Sequence, residues 1–572
     1  MKLNFSKKIL FLLFFATNLL GLNAQNCEFP SVYEELNINN VVASFPHGGG
    51  LWRGLDFQNN YIVPKPQNIE QAINAIYSAD LWIGGIDTFG IVKFAGQKYH
   101  HGEYWPGPLN ENGQIENDNC SKFNRFWKVN GETITEFRNA FAQNGNTLAA
   151  SEIDESILKW PARNNPYFND FELPQNQDLA PFWDFDNDGM YDATKGDYPV
   201  IDGSHSALYA DQMLWWIFND NGGNHNNTYA EALRMEIHAL AYAFQTDNDL
   251  NNATFCKYDF VNKGYAPLND TYVGLHVDVD LGAFDNDYIG SIPDANIGYT
   301  YNGTTQNGVT FDAQYGENPP IIGTQFLYPI KENGQEVGMS AFLQTNNGWG
   351  IHTNLSDFTN YYNYMQGNWA EGTPITYGGD GYINSFFDNS IEHPYMFSDE
   401  PSDANGWSEC SENIAPYDRQ YMMSCGPFNM EVGERKSLTI AVYWLRFDEI
   451  SVCPAVSEVF EDVSSLADAH HQNLVATSND NTFFDTKDKM FKVWPNPAAD
   501  VLHINCKQSI LESKNAFFRL FDVQGNIVFS KKINADENSF SIDITMFETG
   551  IYAYQFWGEK IDMEMGKILV LE

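Results

Sequence analysis

Residues 184–197, DFDNDGMYDATKGD, combine the residue types and the spacing of a calcium-binding loop. Aspartates recur at every second position, and Gly189 stands at the sixth position, where an EF-hand-like loop turns sharply. Calcium prefers oxygen ligands, and such a loop also supplies a backbone carbonyl at its seventh position. The segment therefore predicts a Ca²⁺ site with these ligands: Asp184, Asp186, Asp188, Met190 through its backbone carbonyl, Asp192 and Asp197.

The twelfth position of this loop departs from the EF-hand pattern. It carries Lys195 instead of an acidic residue that binds the ion with both oxygens, and Asp197 is the nearest replacement. No long helices are evident on either side, so a helix–loop–helix sensor is not expected. Calcium held by oxygen ligands alone is a weak Lewis acid, and we therefore favour a structural role over a catalytic one. The alternative is an aspartate-rich surface turn without a metal.

A second acidic segment, DVDLGAFDND, is also a candidate metal site. Its aspartates fit no established loop pattern, so their spacing does not define a coordination geometry. They are expected either to share an ion, with each other or with the first segment, or to cap turns through side-chain hydrogen bonds. These candidate ligands are Asp278, Asp280, Asp285 and Asp287.

Motifs of the common hydrolases and nucleotide-binding enzymes do not occur in the chain. There is no HExxH, no GxSxG, no P-loop and no GxGxxG after a strand. A glycosidase pair of carboxylates is not excluded, because sequence spacing does not give the distance between two side chains. Aromatic segments such as LWWIFND and NYYNYMQGNW could stack on sugar rings, although most aromatic side chains pack in a core.

These candidate residues must be positioned mainly by β-strands. Aromatic residues make up 15% of the chain and charged residues only 19%, a composition that favours strands and turns over helical bundles. MEIHALAYAF (235–244) and TFCKYDFVN (254–262) alternate as strands do and predict an antiparallel pair. We expect a mostly β fold, with a large sandwich-like region over residues 25–474 that forms one unit or two subdomains.

The net charge of −43 limits the partners of the protein. A polyanion is repelled by phosphate backbones and by anionic lipid surfaces, so nucleic-acid binding and peripheral membrane binding are not expected. Cations, neutral glycans and basic proteins are compatible with such a surface. The alternative is that the acidity only keeps an exported protein soluble.

The first 24 residues have the layout of a secretory signal peptide. Lys2, Lys7 and Lys8 are followed by an apolar run over residues 9–22 and by LNA at residues 22–24, which fits a cleavage site. No later apolar run is long enough for a membrane span, so the mature chain is expected to lack one. Seven cysteines in an exported chain permit disulfides, whose pairing the sequence does not fix.

The end of the chain differs in composition from the rest. Residues 475–489 are polar and aperiodic, which predicts a linker, and residues 490–572 form short alternating strands that predict a small immunoglobulin-like β-sandwich. The segments VWPNPAADVLHI, LFDVQGNIVFSKKI and DITMFETGIYAYQF follow in the order typical of the C-terminal (type A) sorting domain of type IX secretion in Bacteroidetes, which this module resembles. The residues that carry the resemblance are Pro495, Asn496, Pro497, Asp522, Gly525, Gly550 and Tyr552.

This resemblance implies export in two steps, by the Sec machinery and then by the type IX machinery, to a secreted or cell-surface location. A sorting domain is an address and not an activity. The large region also resembles a group of exported Bacteroidetes proteins without an assigned activity, in segments such as ADLWIGGIDTFGIVKFAGQKY and YYNYMQGNWAEGTPITYGGDGY. That second resemblance informs location and architecture only.

Export, acidity and the candidate calcium loop together predict a function in binding. We expect a calcium-stabilised binding or adhesion protein whose ligand is a glycan or another surface protein. The alternative is a secreted hydrolase that acts on glycans or peptides.

Overall fold

The computed structural model describes residues 27–570 with internal gaps. The predicted signal peptide (1–24) and the predicted linker (475–489) lie outside the described residues. The gaps are 54–59, 100–101, 117–118, 176, 204–206, 305, 308–313, 346–354, 383–390, 448–450, 458–459, 461–490, 495–500, 507–515, 522–526, 534–538, 546, 548–549 and 559–560.

The large region is built from antiparallel strands rich in aromatic and β-branched residues, which suit a pleated, buried surface. This confirms the predicted mostly β fold. The strands are β1 (Tyr33–Leu36), β2 (Val42–Pro46), β3 (Gly50–Leu51), β4 (Tyr61–Ile62), β5 (Asn74–Asp87), β6 (Val92–Gly96), β7 (Trp105–Pro106), β8 (Trp127–Asn130), β9 (Phe182–Trp183), β10 (Tyr198–Pro199), β11 (Gln212–Asn219), β12 (Met235–Ala243), β13 (Ala253–Asn262), β14 (Leu268–Val279), β15 (Asp287–Ile292), β16 (Ile297–Asn302), β17 (Gln306–Asn307), β18 (Gly316–Glu317), β19 (Ile321–Tyr328), β20 (Lys331–Glu332), β21 (Gln335–Glu336), β22 (Met339–Thr345), β23 (Gln420–Met430) and β24 (Arg435–Leu445).

Two large sheets contain most of these strands. Sheet 1 has the order β1-β2-β4-β5-β14-β23-β22, with β3 and β6 also paired to β5. Sheet 2 has the order β15-β16-β19-β24-β13-β12-β11-β7, with β8 also paired to β11. The predicted pairing of the two alternating segments is confirmed, since β12 and β13 run antiparallel from Met235 opposite Asn262 to Tyr242 opposite Phe255.

Sheet 2 is buried on both faces and forms the middle layer of the large region. Leu214 and Trp216 of β11 belong to a core that also contains residues of sheet 1. Met213 and Trp215 of the same strand point to the opposite face and belong to a second core. Each face of the strand therefore packs against a different layer, and every residue of β11 is buried.

Short helices and irregular loops cover the second face of sheet 2. The longest helix buries Ile134, Phe137 and Phe141, which recur at helical spacing, in the second core. The α-helices are α1 (Asn119–Phe123), α2 (Gly131–Gln143), α3 (Glu155–Leu158) and α4 (Phe358–Met365). The 3₁₀ helices are Ile69–Gln71, Ala150–Glu152, Ala193–Lys195, Asp249–Asn252 and Pro293–Ala295.

The C-terminal module is a small β-sandwich, as its alternating strands predict. Its two sheets have the orders β25-β26-β29 and β28-β27-β30-β31. Leu502, Phe518 and Ile542 belong to one core that joins strands of both sheets. The strands are β25 (Phe491–Trp494), β26 (Val501–Cys506), β27 (Ala516–Phe521), β28 (Ile527–Ile533), β29 (Ser539–Asp543), β30 (Gly550–Gly558) and β31 (Ile561–Val570).

Two disulfides link distant segments of the large region. Cys27 is bonded to Cys120, and Cys410 is bonded to Cys453. Cys256 and Cys425 are buried free thiols. Among the described residues, no helix is long and apolar enough to cross a membrane.

Candidate functional site

Three of the predicted calcium ligands converge in the loop between β9 and β10. One carboxylate oxygen each of Asp184, Asp186 and Asp188 lies within 4.8 Å of the others. The backbone amides of Asp188 and Gly189 donate to the two oxygens of Asp184 over 3.2 Å and 2.8 Å. Gly189 has a φ of 76°, a left-handed conformation that glycine adopts without steric cost. We refer to these three carboxylates as the loop cluster.

Lys195, at the twelfth position of the loop, points its ammonium group at the loop cluster. Its Nζ lies 2.7 Å from Asp188 Oδ2 and 3.3 Å from Asp186 Oδ2. The hydrogen bond from Lys195, together with one from the Met190 amide, lowers the pKa of Asp188. Hydrogen bonds to the same two aspartates raise the pKa of Lys195. Lys195 therefore supplies positive charge at a position where an EF-hand loop has an acidic residue.

Two other predicted ligands have local roles in the loop. Asp192 caps the 3₁₀ turn Ala193–Lys195, because its Oδ1 accepts hydrogen bonds from the amide (3.0 Å) and the hydroxyl (2.6 Å) of Thr194. Met190 has an exposed side chain, and its amide donates to Asp188 Oδ1 over 2.8 Å. The loop cluster thus consists only of the aspartates at the first, third and fifth positions of the loop.

Asp197 closes the base of the loop. Its buried carboxylate accepts hydrogen bonds from the amides of Phe185 over 2.8 Å and Asp192 over 2.7 Å, one on each oxygen. Burial outweighs these hydrogen bonds and, with the charges of Asp184 and Asp186, raises the pKa of Asp197 to about 7. Asp197 holds the two ends of the acidic segment together in this structure.

A groove passes the loop cluster and continues along β13 and β24. Asp184 and Gly189 line its first part, a cavity of about 700 Å³ that also contains Trp215 and His238 in its wall. A second cavity of about 460 Å³ adjoins the first. The two cavities share four lining residues: Asp202, Lys257, Arg435 and Ser437.

Charges of both signs alternate in the wall of the groove. Lys257 Nζ lies 2.7 Å from Asp202 Oδ1 and 3.8 Å from Asp259 Oδ1, and Arg435 Nη1 lies 3.4 Å from Asp259 Oδ2. The buried indole N–H of Trp215 has no hydrogen-bond partner among the described residues. The groove therefore presents hydrogen-bond donors and acceptors side by side and no single dominant charge.

The second acidic segment divides in the structure. Asp278 and Asp280 each place a carboxylate oxygen within 4.8 Å of one from Asp418, which lies two residues before the start of β23. We refer to these three residues as the sheet cluster. Asp285 is exposed and does not belong to the cluster. Asp287 is buried close to the cluster but outside it, and it accepts hydrogen bonds from the Leu281 amide and the Asn302 side chain.

The sheet cluster adjoins a row of polar side chains across four strands of sheet 1. Ser78 is opposite Asp278, Asp278 is opposite Gln420, and Gln420 is opposite Thr345. The Tyr99 hydroxyl donates to Asp278 Oδ2 over 2.6 Å and accepts from Gln420 Nε2 over 2.6 Å. Three segments that are distant in sequence thus meet at Asp278.

Burial dominates the electrostatics around this row. It raises the pKa of Asp278 to about 7, against the hydrogen bond from Tyr99, and it raises the pKa of Asp80 to about 7. Burial, with the positive charge of Lys98, holds the pKa of His276 well below its usual range, so this imidazole is neutral. The pKa of Lys98 is itself lowered by burial, although nearby aspartates favour its charge.

The sequence contains a signal for this row that motif spacing does not capture. HVDVD places His276, Asp278 and Asp280 at alternate positions, and therefore on one face, of an otherwise apolar strand. Asp418 and Gln420 repeat the pattern at the start of β23. Polar residues at alternate positions in neighbouring buried strands could have indicated the row, but only once the strand pairing was established.

The residues of the sorting motif are only partly described. Gly550 and Tyr552 lie at the start of β30, and the Tyr552 ring packs against Phe547, with 5.3 Å between the ring centroids. Pro495, Asn496, Pro497, Asp522 and Gly525 lie outside the described residues.

Comparisons with known proteins identify the C-terminal module. Residues 492–570 match the secretion system C-terminal sorting domain family. A polysaccharide lyase structure is similar at 11% identity and a TM-score of 0.16, over 59% of this chain and 34% of the lyase. The BSP domain of a biofilm-associated protein is similar at 9% identity and a TM-score of 0.15, over 96% of this chain and 84% of that structure. The chain spans only about a third of the lyase, and scores this low carry no argument about fold or activity. No curated protein matches the chain.

The sorting domain defines the class of protein. Its presence at residues 492–570 makes the chain a cargo protein of the type IX secretion system, as the motifs at its C-terminus predict. The protein is therefore exported, and it is secreted or located at the cell surface.

Proposed function

We propose that this exported protein is a calcium-stabilised binding protein whose ligand, a glycan, lies in the groove beside the loop cluster. The observation that carries the proposal is the position of Asp184, which belongs to the loop cluster and also lines the groove. An ion held by the loop would order one wall of the groove. The usual role of calcium in extracellular proteins, the ordering of a loop, would then act directly on ligand binding.

The chemistry of the groove favours a glycan over a strongly charged ligand. Lys257 and Arg435 are both paired with aspartates, and an ion bound by the loop cluster would offset the charge of Asp184, so the groove would present no strong excess of either charge. Adjacent donors and acceptors suit sugar hydroxyls, which both donate and accept hydrogen bonds. The two adjoining cavities form an extended path, which suits several consecutive sugar units.

Export completes the proposal. Residues 1–24 are the signal peptide that directs the chain to the Sec machinery, and the sorting domain then directs it to the type IX machinery. The groove is thereby delivered to a location where surface glycans are accessible.

A glycan array probed with the purified protein, with calcium and with chelator, tests this function. Arg435→Gln should weaken binding about tenfold, the loss expected when one charge-assisted hydrogen bond is removed. The matched control is Arg125→Gln, since Arg125 is also paired with an aspartate and is 42% exposed against 37% for Arg435, but it does not line the groove. Equal effects of the two substitutions would place the binding site elsewhere.

The same assay separates binding from hydrolysis. Any glycan that binds is incubated with the protein, and its products are analysed. Turnover that Asp259→Asn abolishes would contradict the binding function and support a secreted hydrolase. Binding without turnover is the expected result.

A further inference from the structure

The polar row of sheet 1 contains buried polar atoms that lack partners. These atoms are 0–4% exposed by residue and have no hydrogen-bond partner among the described residues. They are Ser78 Oγ, His276 Nδ1, Asp278 Oδ1 and Gln420 Oε1. Buried polar atoms without partners are rare because each costs about 1–3 kcal/mol. Three of them, Ser78 Oγ, Asp278 Oδ1 and Gln420 Oε1, are oxygen atoms on one face of one sheet, where a single bound ligand would satisfy them together.

The unpartnered atoms share one chemical property, which is that each can act as an electron-pair donor. Carboxylate and amide oxygens only accept hydrogen bonds, and a hydroxyl oxygen also accepts them. His276 Nε2 lies 3.2 Å from Thr345 Oγ1, which leaves Nδ1 as the other nitrogen of a neutral ring. A cation or a strong hydrogen-bond donor would satisfy the three oxygen atoms, whereas His276 Nδ1 faces the Gln420 side chain and can donate to it.

Burial raises the pKa of Asp278 and of Asp418, and the positive charge of Lys98 only partly opposes this effect. Asp278 and Asp418 have no ion pair within 4.0 Å among the described residues. Lys98 is the nearest candidate, yet its Nζ packs over the Tyr99 ring at 5.6 Å from the centroid and forms no ion pair in the described structure. Asp278 and Asp418 therefore lie beside each other without an ion-pair partner among the described residues.

We propose that Asp278, Asp280 and Asp418 bind a divalent cation, with Gln420 Oε1 as a further oxygen ligand. The three carboxylate oxygens lie within 4.8 Å of one another, so a small movement of the side chains would bring all three to the distance of about 2.4 Å that is typical of calcium. Oxygen ligands also favour calcium over softer metals. The site does not depend on the loop cluster or the groove, since different strands build it.

The surrounding contacts hold these ligands in place. Tyr99 bonds both Asp278 and Gln420 through one hydroxyl, and its backbone has a left-handed φ of 66° that is unusual for tyrosine. Arg419, the residue after Asp418, pairs with buried Glu409 over 2.7 Å. An ion here would tie the end of β14 to the start of β23 and to the segment that carries Tyr99.

Calorimetric titration of the metal-free protein with Ca²⁺ tests the site. We expect Asp418→Asn to weaken the tighter binding event more than about tenfold, as removal of supporting groups already does at other metal sites. Asp186→Asn, in the loop cluster, is the matched control and should leave that event unchanged. Near-UV circular dichroism checks that each variant is folded, and Asp280→Asn replaces Asp418→Asn if the latter does not fold.

Two results would overturn the proposal. One is identical calcium stoichiometry and Kd for the wild type and for the folded Asp418→Asn or Asp280→Asn variant. The other is loss of all calcium binding in Asp186→Asn, which would assign the ion to the loop cluster alone. A failure of the glycan assay would leave this titration unaffected.

Discussion

The loop cluster and the sheet cluster each bring three aspartates together, but they differ in what neutralises them. The loop cluster is partly exposed, and Lys195 lies 2.7 Å from Asp188. The sheet cluster includes the buried Asp278, whose Oδ1 has no partner among the described residues. The loop cluster has the regular calcium-loop motif, yet its charges are already stabilised by solvent and by Lys195, so it depends less on a bound ion. Burial and the unpartnered oxygen of Asp278 mark the cluster that needs an ion more.

Glu103 shows a third way to neutralise a buried carboxylate, by an internal cation. His225 Nδ1 lies 3.1 Å from Glu103 Oε2 and 2.8 Å from the Phe94 carbonyl, and Nε2 lies 2.7 Å from the Asp220 carbonyl. Both ring nitrogens face acceptors, so both must carry protons. Burial alone would lower the pKa of His225, but the hydrogen bond and charge of Glu103, with the charge of Asp220, raise it to about 9.

The largest effect is expected from breaking this internal pair. His225→Gln should lower the free energy of unfolding by about 3 kcal/mol near pH 6, because a pKa raised from 6.5 to about 9 stabilises the folded state by this amount. This stabilisation is complete below about pH 6.5 and is lost as the pH rises through about 9. Urea unfolding of both proteins at several pH values measures the difference, which should shrink at alkaline pH. A loss that does not vary with pH would contradict a charged His225, and exposed His503→Gln is the control.

The second effect concerns the disulfide between Cys410 and Cys453, which encloses the segment that contains Asp418. Replacing Cys410 and Cys453 with serine should cost about 2–4 kcal/mol of stability, because the bridge restricts the unfolded chain. It should also weaken calcium binding, because the bridged segment leads into Asp418. Replacing Cys27 and Cys120 is the matched control, and it should reduce stability without changing calcium affinity. Equal calcium affinities for the two double variants would contradict a link between this bridge and the sheet cluster.

The third effect is the stabilisation that calcium gives to the fold. At a free calcium concentration of one hundred times the Kd, binding adds about 2.7 kcal/mol, so chelation should lower the Tm measurably. Thermal unfolding is measured for the wild type, Asp418→Asn and Asp186→Asn, each with calcium and with chelator. The changes in Tm show how much of the stabilisation comes from each cluster. The decrease in Tm caused by the chelator should be smallest in Asp418→Asn. If the Tm shift on chelation is lost only in Asp186→Asn, the loop cluster and not the sheet cluster provides most of the stabilisation by calcium.

The smallest effect is expected at Lys195, which would compete with an ion bound by the loop cluster. Lys195→Gln should strengthen calcium binding by the loop and change the stability of the metal-free fold by no more than about 1 kcal/mol, as is typical of exposed ion pairs. Calcium titration of the Lys195→Gln, Asp418→Asn double variant measures calcium binding by the loop cluster alone. Lys331→Gln, which removes another exposed lysine at 63% side-chain exposure, is the control. Weaker calcium binding in Lys195→Gln would show that Lys195 supports the site instead of competing for it.

Local patterns in the sequence predicted much of this architecture. Alternating apolar residues predicted the pairing of β12 with β13, and three short motifs predicted the sorting domain. Regular spacing also predicted that Asp184, Asp186 and Asp188 would lie together, because residues of one short loop are neighbours in space as well as in sequence.

Features that depend on strand pairing could not be predicted in this way. Asp280 and Asp418 meet because β14 pairs with β23, and nothing in either segment alone specifies that pairing. Asp287 is nearer than Asp418 to Asp280 in sequence, but its carboxylate accepts a hydrogen bond from Asn302, which lies opposite it on the neighbouring strand β16. The groove likewise exists only because β13 and β24 are adjacent, so residues far apart in sequence form one wall.

The most direct test of the central claim is to locate the first ion that the protein binds. Crystals of the metal-free protein are soaked with a limiting amount of Tb³⁺, a calcium substitute with strong anomalous scattering, and an anomalous difference map is calculated. The account predicts the strongest peak among Asp278, Asp280 and Asp418, and a weaker peak at the loop cluster. A single peak at Asp184, Asp186 and Asp188, with none at the sheet cluster, would contradict it.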